Sequence, residues 1–334
     1  MANKFKSILG IGPMSSETVE AVFRYSHYHR AQLMLIASKN QIDYNGGYVN
    51  GWNTAKFMEF IKRMRQVYDN SDVKICRDHC GPGFNGIYDL EDVYKTIKAD
   101  ISNGFDLIHI DFCHYKGMKN EQLEESKKAI EYCLSLNPDI GLEIGTDENS
   151  GVNYSLPNLL EIEKEIDYFK SFCDPEFYVV QTGSLVKEIN QAGDYNKSFT
   201  EAISKIVRER GVKLKEHNAD YLSKDEIEIR RGVVDAMNIA PQLGVVQTQL
   251  VLSRCLFYGV KFENFIEESY SSQKWQKWLL NNTKENKFLC STIAGHYNFN
   301  SPSYKDIMSK LNKSEDMSEL IINSLVNIIS HYVQ

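Results

Sequence analysis

The feature that most constrains this chain is an alternation, repeated eight times before residue 260, of short apolar runs with amphipathic stretches. The runs fall at 7–12, 31–38, 73–79, 107–113, 141–147, 177–183, 213–219 and 237–241. Short runs rich in Val, Ile and Leu fit strands buried on both faces of a parallel sheet. Between them the spacing predicts helices at 17–30, 54–70, 89–102, 119–136, 157–172, 198–210, 224–235 and 244–258. Leu90, Val93, Ile97 and Ile101 recur at helical spacing, and Ser16-Glu17, Asn53-Thr54 and Ser223–Glu226 carry capping signals. Eight such units in about 250 residues are the pattern of an α/β chain folded as a (β/α)8 TIM barrel. An open doubly wound sheet would carry a glycine-rich phosphate loop after its first strand, and Gly10-Ile11-Gly12-Pro13 is not one.

After residue 260 the alternation stops, and 263–281 and 304–333 read as helices. The expected organisation is a barrel catalytic domain at 1–260 and a helical C-terminal extension at 261–334, packed on the barrel or on a neighbouring subunit. Trp275, Trp278, Leu279 and Leu280 are expected on the packing side of that extension.

Composition narrows the function classes. The 38 Lys and Arg against 45 Asp and Glu leave a net charge of −7, without the basic footprint of a nucleic-acid binder. With 19 Tyr and 16 Phe the chain is too aromatic for a disordered one. No apolar run approaches the roughly 18 residues that would suggest a membrane span, and the N-terminal apolar run is too short for a secretory signal. The seven Cys show no metal-type C-x-x-C spacing, which points to reduced thiols and a cytoplasmic protein.

In a parallel barrel, chemistry gathers at the C-terminal ends of the strands. Here the third strand runs into Arg77-Asp78-His79-Cys80-Gly81-Pro82, and the fourth ends in His109-Ile110-Asp111 with His114 beyond. The fifth holds Glu143 and then Asp147-Glu148, the sixth Gln181-Thr182-Gly183-Ser184, and the seventh Glu216-His217-Asn218-Ala219-Asp220. Histidines and carboxylates on different strand ends are the usual way a catalytic divalent cation is held, zinc taking imidazole nitrogen and carboxylate oxygen. Simple alternation sends the neighbours Asp78 and His79 to opposite faces, unless the strand end relaxes it, and puts His109 and Asp111 on one side. His27, His29, His296 and His331 are expected to be ordinary surface or packing residues. Lys116, Lys213 and Lys215 are the candidates for an imine-forming lysine, and neither strand-seven lysine has an evident desolvating partner. The loop after strand two, Lys39–Trp52, holds Asn40, Gln41, Gly46, Gly47 and Tyr48. Its two glycines permit close backbone approach, and its amides and tyrosines suit a polyhydroxylated or phosphorylated substrate.

These residues fall in motifs that resemble a known family. N-Q-x-x-x-x-G-G-Y at Asn40–Tyr48, D-H-x-G-P at Asp78–Pro82 and G-F-x-x-I-H-x-D at Gly104–Asp111 come first. I-G-T at Ile144–Thr146, V-V-Q at Val179–Gln181 and H-x-x-D-Y at His217–Tyr221 follow in order. Together, over about 40–240, the chain resembles the non-catalytic subunit family of class II tagatose-1,6-bisphosphate aldolase (the GatZ/KbaZ type), a group that includes stand-alone ketose-phosphate 4-epimerases. It is more distantly similar to class II fructose-bisphosphate aldolases. The resemblance implies Asp78 as the proton-transfer residue, and His79, Glu143 and His217 as ligands of a divalent metal, Zn²⁺ first, with Mn²⁺, Co²⁺ or Mg²⁺ as alternatives. It implies Asp111 as a carboxylate that supports a metal ligand or binds a second metal, and it puts Asn218 and Ala219 where aldolases have small residues near a phosphate, with Asp220 in the same motif. The chain departs from the wider pattern at Gln181, where class II aldolases use a third histidine and amide oxygen is the poorer zinc ligand. It also departs at Ile36, Ala240 and Thr248, where the close family has an acidic residue, glycine and arginine.

The expected function is a metal-dependent carbohydrate enzyme acting on a ketose phosphate, by 4-epimerisation or aldol cleavage through an enediolate. The alternatives are a non-catalytic partner that stabilises a separate aldolase subunit, and a metal-dependent sugar isomerase on the same barrel. A homo-oligomer is expected, with no nucleic-acid or membrane partner.

Overall fold

The computed structural model describes residues 5–146, 157–280 and 286–333. Six parallel strands follow one another around a sheet: β1 (Leu9–Ile11), β2 (Gln32–Ser38), β3 (Asp72–Cys80), β4 (Leu107–Ile110), β5 (Gly141–Thr146) and β6 (Phe177–Val180). A short antiparallel hairpin, β7 (Val186–Lys187) and β8 (Asn190–Gln191), interrupts the series. Then β9 (Lys213–Glu216) joins β6, β10 (Ala236–Ile239) joins β9, and β10 pairs with β1 to close an eight-stranded parallel (β/α)8 barrel. The outer ring is α1 (Ser16–His29), α2 (Thr54–Val67), α3 (Leu90–Ser102), α4 (Lys119–Leu136), α5 (Leu159–Lys170), α6 (Lys197–Glu209), α7 (Lys224–Glu228) and α8 (Pro241–Tyr258).

Strand alternation sorts the side chains into two cores. Ile108, Ile110, Leu142, Ile144, Tyr178 and Leu214 face the helices and join the main apolar core. Phe5, Met34, Ile36, Cys76, Leu107, Phe177 and Ala236 form a separate apolar cluster. On β4 and β9 the same alternation continues this second set into polar residues: His109 follows Leu107 by two places, and His217 follows Lys215. An apolar plug thus underlies a layer of polar residues at the end of the barrel where active sites of this fold lie.

Three expectations needed correction. The seventh outer helix is only Lys224–Glu228 rather than 224–235, because a turn at Arg231–Val234 follows its Ser223–Glu226 capping box. The tail is more broken than two helices: α9 (Glu263–Ser271), a 3₁₀ turn at Gln276–Trp278, α10 (Lys287–Ala294), a second turn at Gly295–Asn298, α11 (Pro302–Leu311) and α12 (Met317–Val333). The cap of α1 is Ser15, whose hydroxyl accepts from Thr18 N, rather than Ser16. Helix α12 lies against α1 and α8, with the Tyr332 hydroxyl 2.9 Å from the carbonyl of Ala219. Asp147 and Glu148 lie outside the described residues. Among the described residues no helix is long and apolar enough to cross a membrane.

Candidate metal centre

The third strand breaks its own alternation where the site begins. Its pairing with β4 shifts register between Arg77 and Cys80, and His79 adopts the left-handed backbone at φ 44°. A bulge of this kind re-aims side chains, and here the neighbours Asp78 and His79 both reach one cavity instead of opposite faces. The bulge is anchored from outside the barrel. Arg77, buried, donates to both Asp100 oxygens at 2.6 and 2.8 Å and to the carbonyls of Ala37 and Ile42 at 2.9 and 2.6 Å.

Asp78, His109, Glu143 and His217 converge with one donor atom each inside a 4.8 Å span, and His79, His109 and Asp111 form a second such group. Asp78 Oδ1 lies 3.8 Å from His79 Nε2, 3.8 Å from His109 Nδ1 and 3.9 Å from His217 Nδ1. Glu143 Oε1 lies 3.3 Å from His217 Nε2 and 3.6 Å from His109 Nδ1. His79 turns Nδ1 to Asp111 at 2.8 Å, and Asp111 also accepts from Thr146 Oγ1 and the Cys113 amide. A carboxylate on the far nitrogen of an imidazole fixes its ring and raises its basicity toward a cation.

His109 shows why the centre suits a cation. Its Nε2 faces the Gly145 carbonyl at 3.0 Å, which can only accept, so Nε2 carries the proton. Nδ1 then presents a lone pair, accepting from the His79 amide at 3.3 Å while facing Glu143 and Asp78. Asp78 Oδ1, buried, has no hydrogen-bond partner. Three electron-rich atoms therefore confront one another, and an N/O donor set of this kind fits a zinc-class divalent ion.

The carboxylates are poised as anions. Burial alone would raise Asp78, yet the imidazoles of His79 and His217 hold it far below the ordinary carboxylate range. Glu143 is brought down to about 2, burial being outweighed by Lys215 first and by His217. Asp111 likewise falls to about 2, against its burial, through His79 and the Cys113 amide.

Sequence reasoning missed two members of this centre. His109 was left undecided between faces, although its place two residues from Asp111 and two beyond Leu107 is the signal that turns it inward. Lys215 was read as lacking a partner, whereas its buried ammonium meets Glu143 Oε2 at 2.6 Å and lies 5.1 Å from the centre of the Phe177 ring. Lys215 is not among the residues lining the cavity, which argues against an imine-forming role.

Above the centre opens a cavity of about 780 Å³, lined at its floor by Asp78, His79, Gln181, His217 and Asn218. Gln181 Oε1 accepts from the Gly183 amide at 3.0 Å. Asn218 has a left-handed backbone, φ 56°, and its carbonyl accepts from Gln191 on the β7–β8 hairpin. Asn40, Gln41 and Tyr48 line the wall, while Gly46 and Gly47 do not reach it. Gly47 instead lets the loop double back, since a Cβ there would sit 2.0 Å from the Gln41 carbonyl. Asp220 also borders the cavity, with Oδ1 accepting from the amides of Ala240 and Gln242 at 3.0 and 2.8 Å, and burial raises it to about 7. His296, expected to be an ordinary packing residue, lines the cavity from the tail, as do Lys274, Lys277, Trp278 and Tyr297.

No family model matches the chain. Among solved structures, it is similar to one described as a probable tagatose 6 phosphate kinase from Sinorhizobium meliloti 1021, with a TM-score of 0.79, 14% identity, and 98% of this chain and 99% of that one covered. The fructose-bisphosphate aldolase of Campylobacter jejuni aligns with a TM-score of 0.56 at 13% identity, over 93% of this chain and 91% of that one. The YdjI aldolase of Escherichia coli K12 aligns with a TM-score of 0.54 at 14% identity, over 94% and 95%. At these identities the likeness is one of fold: the chain is a (β/α)8 barrel of the architecture seen in solved aldolases, extended at its C-terminus.

Proposed function

We propose that the chain is a metal-dependent enzyme of class II aldolase type acting on a ketose phosphate, as a 4-epimerase or an aldolase, with its catalytic residues on the barrel at 1–260. The observation that carries this reading is the convergence of Asp78, His109, Glu143 and His217 at one end of the barrel interior. His79, Glu143 and His217 would hold the cation, His109 adding a nitrogen that sequence reasoning had not assigned. When bound, a divalent ion such as Zn²⁺ supplies Lewis-acid polarisation of the substrate's carbonyl and hydroxyl oxygens.

The remaining work falls to the chain's own groups. Asp78, ionised at neutral pH, takes the proton from the C4 hydroxyl as the C3–C4 bond breaks. The electron pair of that bond passes to the C2 carbonyl, leaving an enediolate and an aldehyde. If the aldehyde turns over and the bond re-forms on its other face, Asp78 returns the proton to the C4 oxygen and C4 is inverted. If Asp78 instead passes its proton to C3 of the enediolate and the fragments leave, the outcome is aldol cleavage. Asn40, Gln41, Tyr48 and Asn218 offer polar atoms to the sugar hydroxyls, Asp111 orients His79, and Gln181 borders the same floor.

The test is incubation of the purified chain with Zn²⁺ or Mn²⁺ and fructose 6-phosphate, tagatose 6-phosphate or their bisphosphates, followed by NMR. New C4 epimer or triose products are expected, and absence of any turnover overturns the reading. One observation favours a second reading, a silent subunit supporting a separate aldolase: Lys215 already neutralises Glu143 without a metal. Stabilisation of a co-expressed aldolase by a chain that turns over nothing and takes up no metal would support it.

A further inference from the structure

Barrel enzymes often seat a substrate phosphate between the last two strands, on the free amides of a helix N-terminus. That seat is occupied here by the chain itself. Pro241 opens α8 and has no N–H, and the amides of Ala240 and Gln242 both donate to the buried carboxylate of Asp220. An anion entering there would meet a carboxylate rather than open donors.

Positive charge collects instead on the opposite wall, which the tail contributes. Lys274 and Lys277 are the only lysine or arginine side chains that line the cavity among the described residues. Among the described residues neither has a carboxylate partner, although the chain as a whole carries an excess of acids. Lys274 is seated by aromatic faces, its ammonium 4.7 Å from the centre of the Tyr297 ring and 5.9 Å from that of Tyr48. Tyr48 comes from the glycine loop after β2 and meets Tyr297 at 4.8 Å, so tail and barrel loop hold this ammonium between them. The Lys277 ammonium lies 4.8 Å from the centre of the Trp278 ring, whose Nε1 has no hydrogen-bond partner among the described residues. Deeper in the same cavity, Asn238 is almost fully buried with neither amide atom partnered. Unsatisfied polar atoms in a cavity lining are the complement of a polar ligand. The two ammonium groups lower the proton affinity of His296 after burial has done so, to about 3, so this imidazole stays neutral and adds no third charge.

We propose that the C-terminal extension, not the barrel, recognises the charged end of the substrate: Lys274 and Lys277, with the Trp278 indole N–H, form an anion subsite facing the Asp78–His79–His217 floor. The ligand is a polyhydroxylated chain ended by a phosphoryl or carboxylate group, with its uncharged body along Asn238 and the floor. This rests on the proposed function for the identity of the floor, and adds where and by what the anionic end is held.

The test compares three probes by calorimetry on the metal-loaded chain: fructose, fructose 6-phosphate, and fructuronate, which carries a carboxylate instead. In the wild type one of the two anions binds more tightly than fructose, and which one identifies the terminal group. In Lys274→Gln/Lys277→Gln that preference falls by about 10–100-fold, the loss expected for charge-assisted hydrogen bonds. Fructose affinity and metal content stay unchanged, and Lys274→Arg/Lys277→Arg restores most of the loss. Equal anion affinity in the glutamine variant and the wild type overturns the subsite, as does a wild type that binds fructose as tightly as both anions or binds none of the three. Metal content and turnover are read separately, so a chain that binds anions through these lysines yet turns over no sugar sinks the proposed function and leaves the subsite standing.

Discussion

The two ends of the cavity are built by opposite means. At the floor, His109, Glu143, Lys215 and His217 are almost wholly buried at the ends of barrel strands, and the Glu143 carboxylate meets the Lys215 ammonium at 2.6 Å and His217 Nε2 at 3.3 Å. At the rim, Lys274 and Lys277 stand exposed on a broken stretch between α9 and α10, beside aromatic rings and, among the described residues, without a carboxylate partner. A buried constellation has its geometry determined by the barrel, which suits a reaction that must be the same for every substrate. A short exposed segment can change without disturbing the core, which suits the part of the substrate that varies. On the proposed function and subsite, the difference separates the groups that would carry the reaction from those that would choose its substrate. Substitutions at the floor should therefore change rate or stability, and substitutions at the rim should change affinity alone.

The sharpest way to break this division is Asp78→Asn. It keeps the size and removes the anionic proton acceptor, so turnover should fall by about 10²–10⁴-fold while metal content is retained. Full turnover in this variant, with metal measured by elemental analysis, would remove Asp78 as the base. His79→Ala and His217→Ala should instead abolish metal uptake, and full occupancy in both would sink the ligand assignment. Arg77→Met comes next, because it acts on the bulge that turns Asp78 and His79 into the cavity. It leaves the Asp100 carboxylate buried with the Thr54 hydroxyl as its remaining side-chain donor. Breaking one side of a buried ion pair costs about 3–5 kcal/mol, to be read from urea unfolding. A loss below 1 kcal/mol would mean that the bulge is held by something else. Gly47→Ala joins floor and rim: its methyl would strike the Gln41 carbonyl at 2.0 Å and push the loop that carries Tyr48. It should cost about 1–3 kcal/mol and weaken anion binding through Lys274, and unchanged anion affinity would detach Tyr48 from the rim.

The barrel was legible because its signal is periodic and repeated, and each βα unit supports the reading of the next. The floor was legible in part. His217 and Glu143 sit where simple alternation turns them inward, but Asp78 and His79 enter the cavity together only through a bulge, and adjacent residues in a strand carry no mark of one. Lys215 read as lacking a desolvating partner because that partner, Glu143, is 72 residues away. The rim was illegible for a different reason. Lys274, Trp278 and His296 reach the cavity through 3₁₀ turns and a break in what reads as continuous helix, and tertiary packing rather than local pattern decides that break.

The smallest expected effect tests whether the glycine loop is held to the barrel independently of the floor. Asp92 on α3 accepts from Lys39 Nζ at 2.5 Å, the Tyr44 hydroxyl at 2.8 Å and the Asn85 amide at 3.1 Å, so one carboxylate ties both ends of the first half of that loop to the outer ring. Burial works against its charge, but these donors, Lys39 first, lower its pKa below the ordinary 3.8. A carboxyl whose pKa is depressed by folding contributes stability that is present above its unfolded value and is lost as the pH falls through its folded one. The stability difference between the wild type and Asp92→Asn should therefore be constant from pH 7 to about 5 and shrink as the pH falls below 3.8. Chemical unfolding at a series of pH values reads it directly. A difference that grows on acidification would mean that the carboxylate is strained by the loop rather than holding it, and the rim would then depend on the tail alone.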